Sequence, residues 1–135
     1  MLRLEKVQEE LAKWNFHYKD NVVPGHSVYK VKWVLPAGPA TVIVSEQATS
    51  YLLGFDKKGI YIFPVGGDWH ILDCLLFEWK YITDFEVKKG LLLEDTLKFL
   101  TNEMNVSLKI NRSVAGNPWV KENVKALEEF SCYED

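Results

Sequence analysis

The chain has 135 residues, 47% of them hydrophobic and 13% aromatic, which is ample material for one packed core and too much for a chain whose main state is disorder. Its formal charge of -3 hides an uneven split, with eight basic and seven acidic side chains in residues 1–70 and eight basic and twelve acidic in residues 71–135. Nucleic-acid binding draws most of its affinity from phosphate neutralisation, so a chain this acidic, with no basic stripe, is not built for that class of partner.

The first residues contain no apolar signal-like run, and no later stretch approaches 18 uncharged apolar residues. The expectation is a single soluble, cytoplasmic domain over residues 1–135 with no transmembrane segment. Cys74 and Cys132 read as two separate thiols, with no CxxC to suggest redox chemistry.

Leu4, Val7, Leu11 and Trp14 recur at spacings of three and four, with charged residues between them, which predicts an amphipathic helix over residues 2–15 within an N-terminal extension of residues 1–19. Its apolar stripe must be buried against its own domain or against a partner. Asp20-Asn21 and Pro24-Gly25 break the pattern and predict a loop. From Ser27 the period becomes two: Tyr29, Val31 and Trp33 alternate with Lys30 and Lys32, and after the Pro36-Ala37-Gly38-Pro39 turn Thr41-Val42-Ile43-Val44 begins a second strand.

Residues 51–55 and 60–65 predict a hairpin tipped by Lys57-Lys58-Gly59. A strand follows within residues 71–79, too apolar to show a clean face, and residues 81–87 and 91–101 predict a second hairpin tipped by Lys88-Lys89-Gly90. Residues 106–110 complete about seven strands. Asn117-Pro118 then places a capping side chain ahead of proline at the first helical position, and Trp119, Val120, Val124, Leu127 and Phe130 line one face of a closing helix.

Both Lys-Lys-Gly turns suit a three-residue loop with glycine in the left-handed region. In the first hairpin this pairs Asp56 with Ile60 and sets Phe55 opposite Tyr61, which keeps one face wholly apolar. In the second it pairs Val87 with Leu91, and then Asp84 faces Glu94 and Lys80 faces Lys98; either a bulge shifts one strand or those side chains splay into solvent. The lysines are compatible with the turns rather than required by them.

Seven strands followed by one C-terminal amphipathic helix resembles the bacterial pleckstrin-homology-like (PH-like) domains. The resemblance covers roughly residues 40–130 and rests on Tyr51-Leu-Leu-Gly-Phe-Asp-Lys-Lys-Gly-Ile-Tyr-Ile-Phe63, on Phe77-Glu-Trp-Lys-Tyr-Ile-Thr-Asp-Phe-Glu-Val-Lys-Lys-Gly90 and on the closing helix. It implies a mostly β, α+β fold: an antiparallel PH-like barrel with its closing helix over residues 27–131, plus an extra N-terminal helix. Lipid-binding relatives place converging cations on the first two strands. Here Lys30 and Lys32 lie on one side of the intervening turn, while the second strand offers none.

The chemical candidates are sparse. Asp68, His70, Asp73 and Cys74 include metal-binding residue types, but on an extended segment they do not converge. Asp84, Glu86, Glu94 and Asp95 read as the solvated face of the second hairpin rather than an acid–base pair. No catalytic motif or phosphate-binding loop is present, so no cofactor or metal and no enzymatic activity are expected. Trp14, Trp33, Trp79 and Trp119 fall on apolar faces, whereas Trp69 follows Gly66-Gly67-Asp68 in a loop, where an exposed indole would contact a partner.

The expected function is a non-catalytic binding or scaffold module that engages another protein, or itself, through a sheet edge or through Leu4, Leu11, Trp14 and Trp69. The alternative is a peripheral anionic-membrane contact through Lys57, Lys58, Lys88 and Lys89. At about 1 kcal/mol per lysine, four converging lysines supply about 4 kcal/mol, or roughly millimolar binding. A third reading puts a small-ligand or enzymatic site in the barrel mouth near Asp73 or Glu78.

Overall fold

The computed structural model describes residues 3–27, 31–34, 41–45, 49–66, 69–90, 94–101, 105–112, 114 and 117–129, with only the backbone described for those between 26 and 49 and for 129. Helix α1 (Leu4–Lys13) is followed by β1 (Val22–Ser27), β2 (Val31–Val34), β3 (Thr41–Ser45), β4 (Thr49–Phe55), β5 (Gly59–Pro64) and β6 (Leu75–Glu78). A 3-10 turn (Trp79–Tyr81) then leads to β7 (Thr83–Lys89), β8 (Glu94–Leu100), β9 (Asn105–Asn111) and α2 (Pro118–Glu129). Seven strands form two antiparallel sheets, ordered β1-β4-β5-β6 and β7-β8-β9, and β2 pairs separately with β3.

The sheets do not close into the expected barrel. Among the described residues, strands β6 and β7 end their sheets without pairing with each other, so the architecture is a two-layered sandwich of four and three strands flanked by helices. Its core gathers alternate residues of both sheets: Val23, Tyr51, Leu53, Phe55, Ile60 and Ile62 from the first, and Leu97, Phe99, Val106, Leu108 and Ile110 from the second. The intervening residues Val22, Leu52, Phe63 and Val65 project from the opposite face of the four-stranded sheet, where Val7 and Leu11 of α1 cover them together with Phe16 and Ile71. Sequences such as Tyr51-Leu52-Leu53 show little alternation because that sheet is buried on both faces.

Helix α1 thus packs on its own domain. It ends where Asn15 takes a positive φ of 59°, and the Phe16 N–H returns to the Leu11 carbonyl at 3.0 Å. Helix α2 begins at Pro118 as expected and packs on β1. Trp119 and Val120 join the outer apolar cluster, while Val124 and Leu127 enter the sandwich core. Asn123, between these pairs, donates to the Val22 carbonyl at 2.9 Å.

Three local expectations are corrected. Pro24 and Gly25, read as loop, lie inside β1, paired with Leu52 and Tyr51; proline is tolerated there because β1 is an edge strand. In the first hairpin Phe55 pairs with Ile60 and Leu53 with Ile62, one residue away from the expected register. The turn is organised by Asp56, whose Oδ1 accepts the N–H groups of Lys58 at 2.8 Å and Gly59 at 3.2 Å. Gly59 is required for another reason: a Cβ there would lie 2.0 Å from the Phe77 carbonyl oxygen on β6.

The second hairpin is displaced further. Val87 pairs with Leu97 rather than Leu91, Lys88 with Thr96 and Lys89 with Asp95. The anticipated like-charge pairs vanish, and Glu86 instead faces Lys98. A register shift lies between Thr83 and Glu86, where Asp84 has a φ of 53°.

Candidate functional site

The sandwich is least well covered along one side. Among the described residues, the side chains that pack on its core yet stay only half-buried are Leu75, Phe77, Trp79, Ile82, Phe85 and Val87, and all six belong to the continuous run from β6 through the 3-10 turn into β7. Each of these strands ends its sheet, so each has one side that pairs with no strand among the described residues. Tyr81, at the corner between them, is 55% exposed. The run forms a seam with a polar backbone edge and an apolar floor.

Its geometry is fixed by the corner. The Trp79 amide donates to the Lys58 carbonyl at 3.0 Å, and its indole Nε1–H donates to the Asp56 carbonyl at 2.7 Å. The Trp79 ring meets Phe85 edge-on at 5.5 Å between centroids, and Phe77 meets Phe99 in the same way at 5.2 Å. The seam's aromatic floor is therefore anchored to the first hairpin turn and to the core before anything binds. On β7 the charged Glu86, Lys88 and Lys89 and the kink at Asp84 discourage indiscriminate edge pairing.

The two basic tips lie at different points along the chain path of β7. The first tip is hydrogen-bonded to Trp79, just before β7, whereas Lys88 and Lys89 end that seven-residue strand, about 20 Å further on at ~3.3 Å per residue. Lys89 is bonded to Glu128 of α2, and Lys88 lies 3.8 Å from Glu86. Behind this second tip the buried Asp95 accepts the Gly90 N–H at 3.2 Å and faces Arg112 Nε at 3.2 Å.

The proposed interface stripe is divided in the same way. Leu11 is fully buried within the chain, Leu4 is half-buried against the outer cluster, and Trp14, expected on the buried face of α1, is 39% exposed. Trp69, expected as an exposed indole, is half-buried against the same cluster, with a φ of 65°. Lys30 lies outside the described residues, as do Asp68, Phe130 and Cys132. Asp73 is exposed and accepts the Cys74 N–H, Glu78 pairs with Lys80, and burial pushes the half-buried Cys74 thiol up, helped by Asp73.

One polar cluster carried no signal in the sequence. Glu10, which reads there as part of the solvated face of α1, is buried; its carboxylate lies 2.8 Å from Lys13 Nζ and 3.3 Å from His70 Nδ1 and accepts the Ile71 N–H at 2.9 Å. The Lys13 ammonium, opposed by burial and helped by the Ile71 N–H and His70, holds this carboxyl down at about 2. The seam itself left only an indirect trace, the largely apolar character of residues 71–79.

No family model, curated protein or solved structure matches the chain. Among the described residues no helix is long and apolar enough to cross a membrane.

Proposed function

We propose that the chain is a non-catalytic PH-like binding module whose partner is an extended segment of another protein, docked along the seam of β6, the 3-10 turn and β7. The observation that carries this reading is that, among the described residues, the half-buried apolar side chains packed on the sandwich core all lie on that one run, in two strands that each end a sheet. A partner in β conformation satisfies both features: its backbone pairs with a free edge, and alternate side chains cover Phe77, Phe85 and Val87. The PH-like assignment is supported by a four-stranded and a three-stranded antiparallel sheet followed by a terminal helix, with the β2–β3 pair inserted after β1. The engagement of Lys88 by Glu86 and of Lys89 by Glu128 favours this reading over a membrane contact, since it offsets the charge of the second tip.

The test is selection of displayed random peptides on the full chain, followed by amide chemical-shift mapping. Binders are expected to shift resonances of residues 75–89 and to weaken at least tenfold with Tyr81→Ala. Binders that map elsewhere overturn the reading. Sedimentation with anionic vesicles, in a salt-sensitive manner that Lys57→Ser with Lys58→Ser abolishes, supports the membrane alternative instead.

A further inference from the structure

The two ends of β6 differ in charge. Its last residue, Glu78, pairs in register with Gly59, directly after the exposed Lys57 and Lys58, and the exposed Lys80 follows two residues later. Its first residue, Leu75, follows the exposed Asp73 by two positions. We propose that the docked segment joins the first sheet as a strand antiparallel to β6, with an acidic residue beside Lys57, Lys58 and Lys80 and a basic residue about five positions later, beside Asp73. This polarity rests on docking at the seam and adds the chemistry of the partner.

Of the two strands that end their sheets, β6 is the better suited to pairing. β7 is kinked at Asp84, whose φ is 53°, carries the ion pair of Lys88 with Glu86 and is tied at its end by Lys89 to Glu128. β6 has a single charged residue, Glu78, engaged by Lys80 at 3.4 Å. Leu75 and Phe77 face the core, while Leu76 stands opposite Tyr61 in the ladder with β5. Both faces beside this edge are apolar, so the partner's residues between its two charges are apolar as well. The existing pairs of the sheet are antiparallel, and the antiparallel ladder is the more stable one per residue.

The charges at the two ends are available to a partner. The Lys58 carbonyl accepts the Trp79 N–H at 3.0 Å and the Lys58 N–H donates to Asp56 at 2.8 Å, which fixes the backbone of the turn beside the corner. Among the described residues neither the Lys57 nor the Lys58 ammonium has an ion-pair partner, and Asp56, the acid of that turn, is taken up by the amides of Lys58 and Gly59. At the other end Asp73 is exposed and accepts the adjacent Cys74 N–H at 2.7 Å. A segment that is acidic at the corner and basic at Asp73 therefore gains at both ends, and one with those charges exchanged meets repulsion at both.

The experiment compares two end-blocked peptides of identical composition on the full chain, Glu-Val-Leu-Val-Leu-Lys and Lys-Val-Leu-Val-Leu-Glu, by amide chemical-shift titration. The first is expected to bind several-fold more tightly, with a difference that shrinks at high salt. A nitroxide at its N-terminus should broaden the amides of Lys57, Lys58 and Lys80 and spare that of Asp73. Lys57→Glu with Lys58→Glu, or Asp73→Lys, should erase the preference; all three side chains are exposed, so neither variant removes a core contact. Equal affinities, broadening at Asp73 or a preference that survives both variants overturns this polarity, while shifts confined to residues 75–89 leave docking at the seam intact. Failure of both peptides to bind, when selected peptides still shift residues 75–89, also overturns the polarity alone. Selected peptides that shift other residues overturn the seam and the polarity together.

Discussion

The phenol of Tyr51 on β4 bonds to both backbone groups of Lys109 on β9: it donates to the carbonyl at 2.6 Å and accepts from the amide at 2.8 Å. One side chain therefore joins the two sheets on the side where β1 and β9 approach without pairing. Burial raises the Tyr51 hydroxyl well above its ordinary value, so it stays a neutral donor. Tyr51→Phe keeps the ring but strips both Lys109 groups of their partner. The expected loss is about 1–3 kcal/mol in urea denaturation, with an unchanged m-value.

Gly25 makes that bridge passable. A Cβ at this position would lie 2.1 Å from the Lys109 carbonyl oxygen and 2.4 Å from the Tyr51 ring. Gly25→Ala should therefore destabilise the fold at least as much as Tyr51→Phe. In the double variant the cost of Gly25→Ala should persist, because the backbone clash with Lys109 does not depend on the hydroxyl.

Leu11 and Leu72 separate buried from available apolar surface. Leu11 is fully buried and Leu72 is 65% exposed. Leu11→Asp buries an unpaired charge and should cost about 4 kcal/mol or more, enough to unfold a domain of ordinary stability. Leu72→Asp should stay within about 0.5 kcal/mol of the parent. Thermal unfolding of both variants checks the pair.

Glu10 sets an acid limit on stability. Its carboxyl titrates near 2 in the fold against an ordinary 4.5, so its stabilising contribution is complete above 4.5 and is lost as the pH falls from 4.5 towards 2. Unfolding free energies of the parent and Glu10→Gln, measured as a function of pH, should differ by a constant amount above 4.5 and converge below it. A gap that persists at the acid end would mean that packing, rather than charge, explains the burial of Glu10.

The first basic turn should depend on its aspartate. Asp56→Ala removes the acceptor of the Lys58 and Gly59 amides and is expected to cost about 1 kcal/mol. Lys57→Ser combined with Lys58→Ser should leave the unfolding midpoint nearly unchanged, since both side chains are exposed. Comparing the two variants separates turn chemistry from tip charge.

Much of this architecture is legible in the sequence because it depends on local chemistry. The spacing of Val7 and Leu11 marks α1, Asn117-Pro118 marks the start of α2, and the alternation around Val106 and Leu108 marks β9. Register was not legible. In the second hairpin, glycine at position 90 suggested a tight turn, but Val87 faces Leu97, because burying Leu97 and Phe99 in the core outweighs the shortest connection. Pro24 and Gly25 resemble turn residues in any local reading, and only their place on an edge strand beside Lys109 accounts for them.

The candidate site divides along the same line. Sequence alone supplied the one-domain size, the mostly β composition with a helix near each end, the basic turns and the dense apolar run ahead of β7. Tertiary structure decided that α1 would bury Leu11 in its own domain, that Lys89 would meet Glu128, that Glu10 would meet His70, and that β6 and β7 would each end a sheet among the described residues. Periodicity records which side chains avoid water, because that preference belongs to each residue. Which partners they avoid it with depends on how distant segments fill a shared volume, and nothing within a short stretch of chain encodes that.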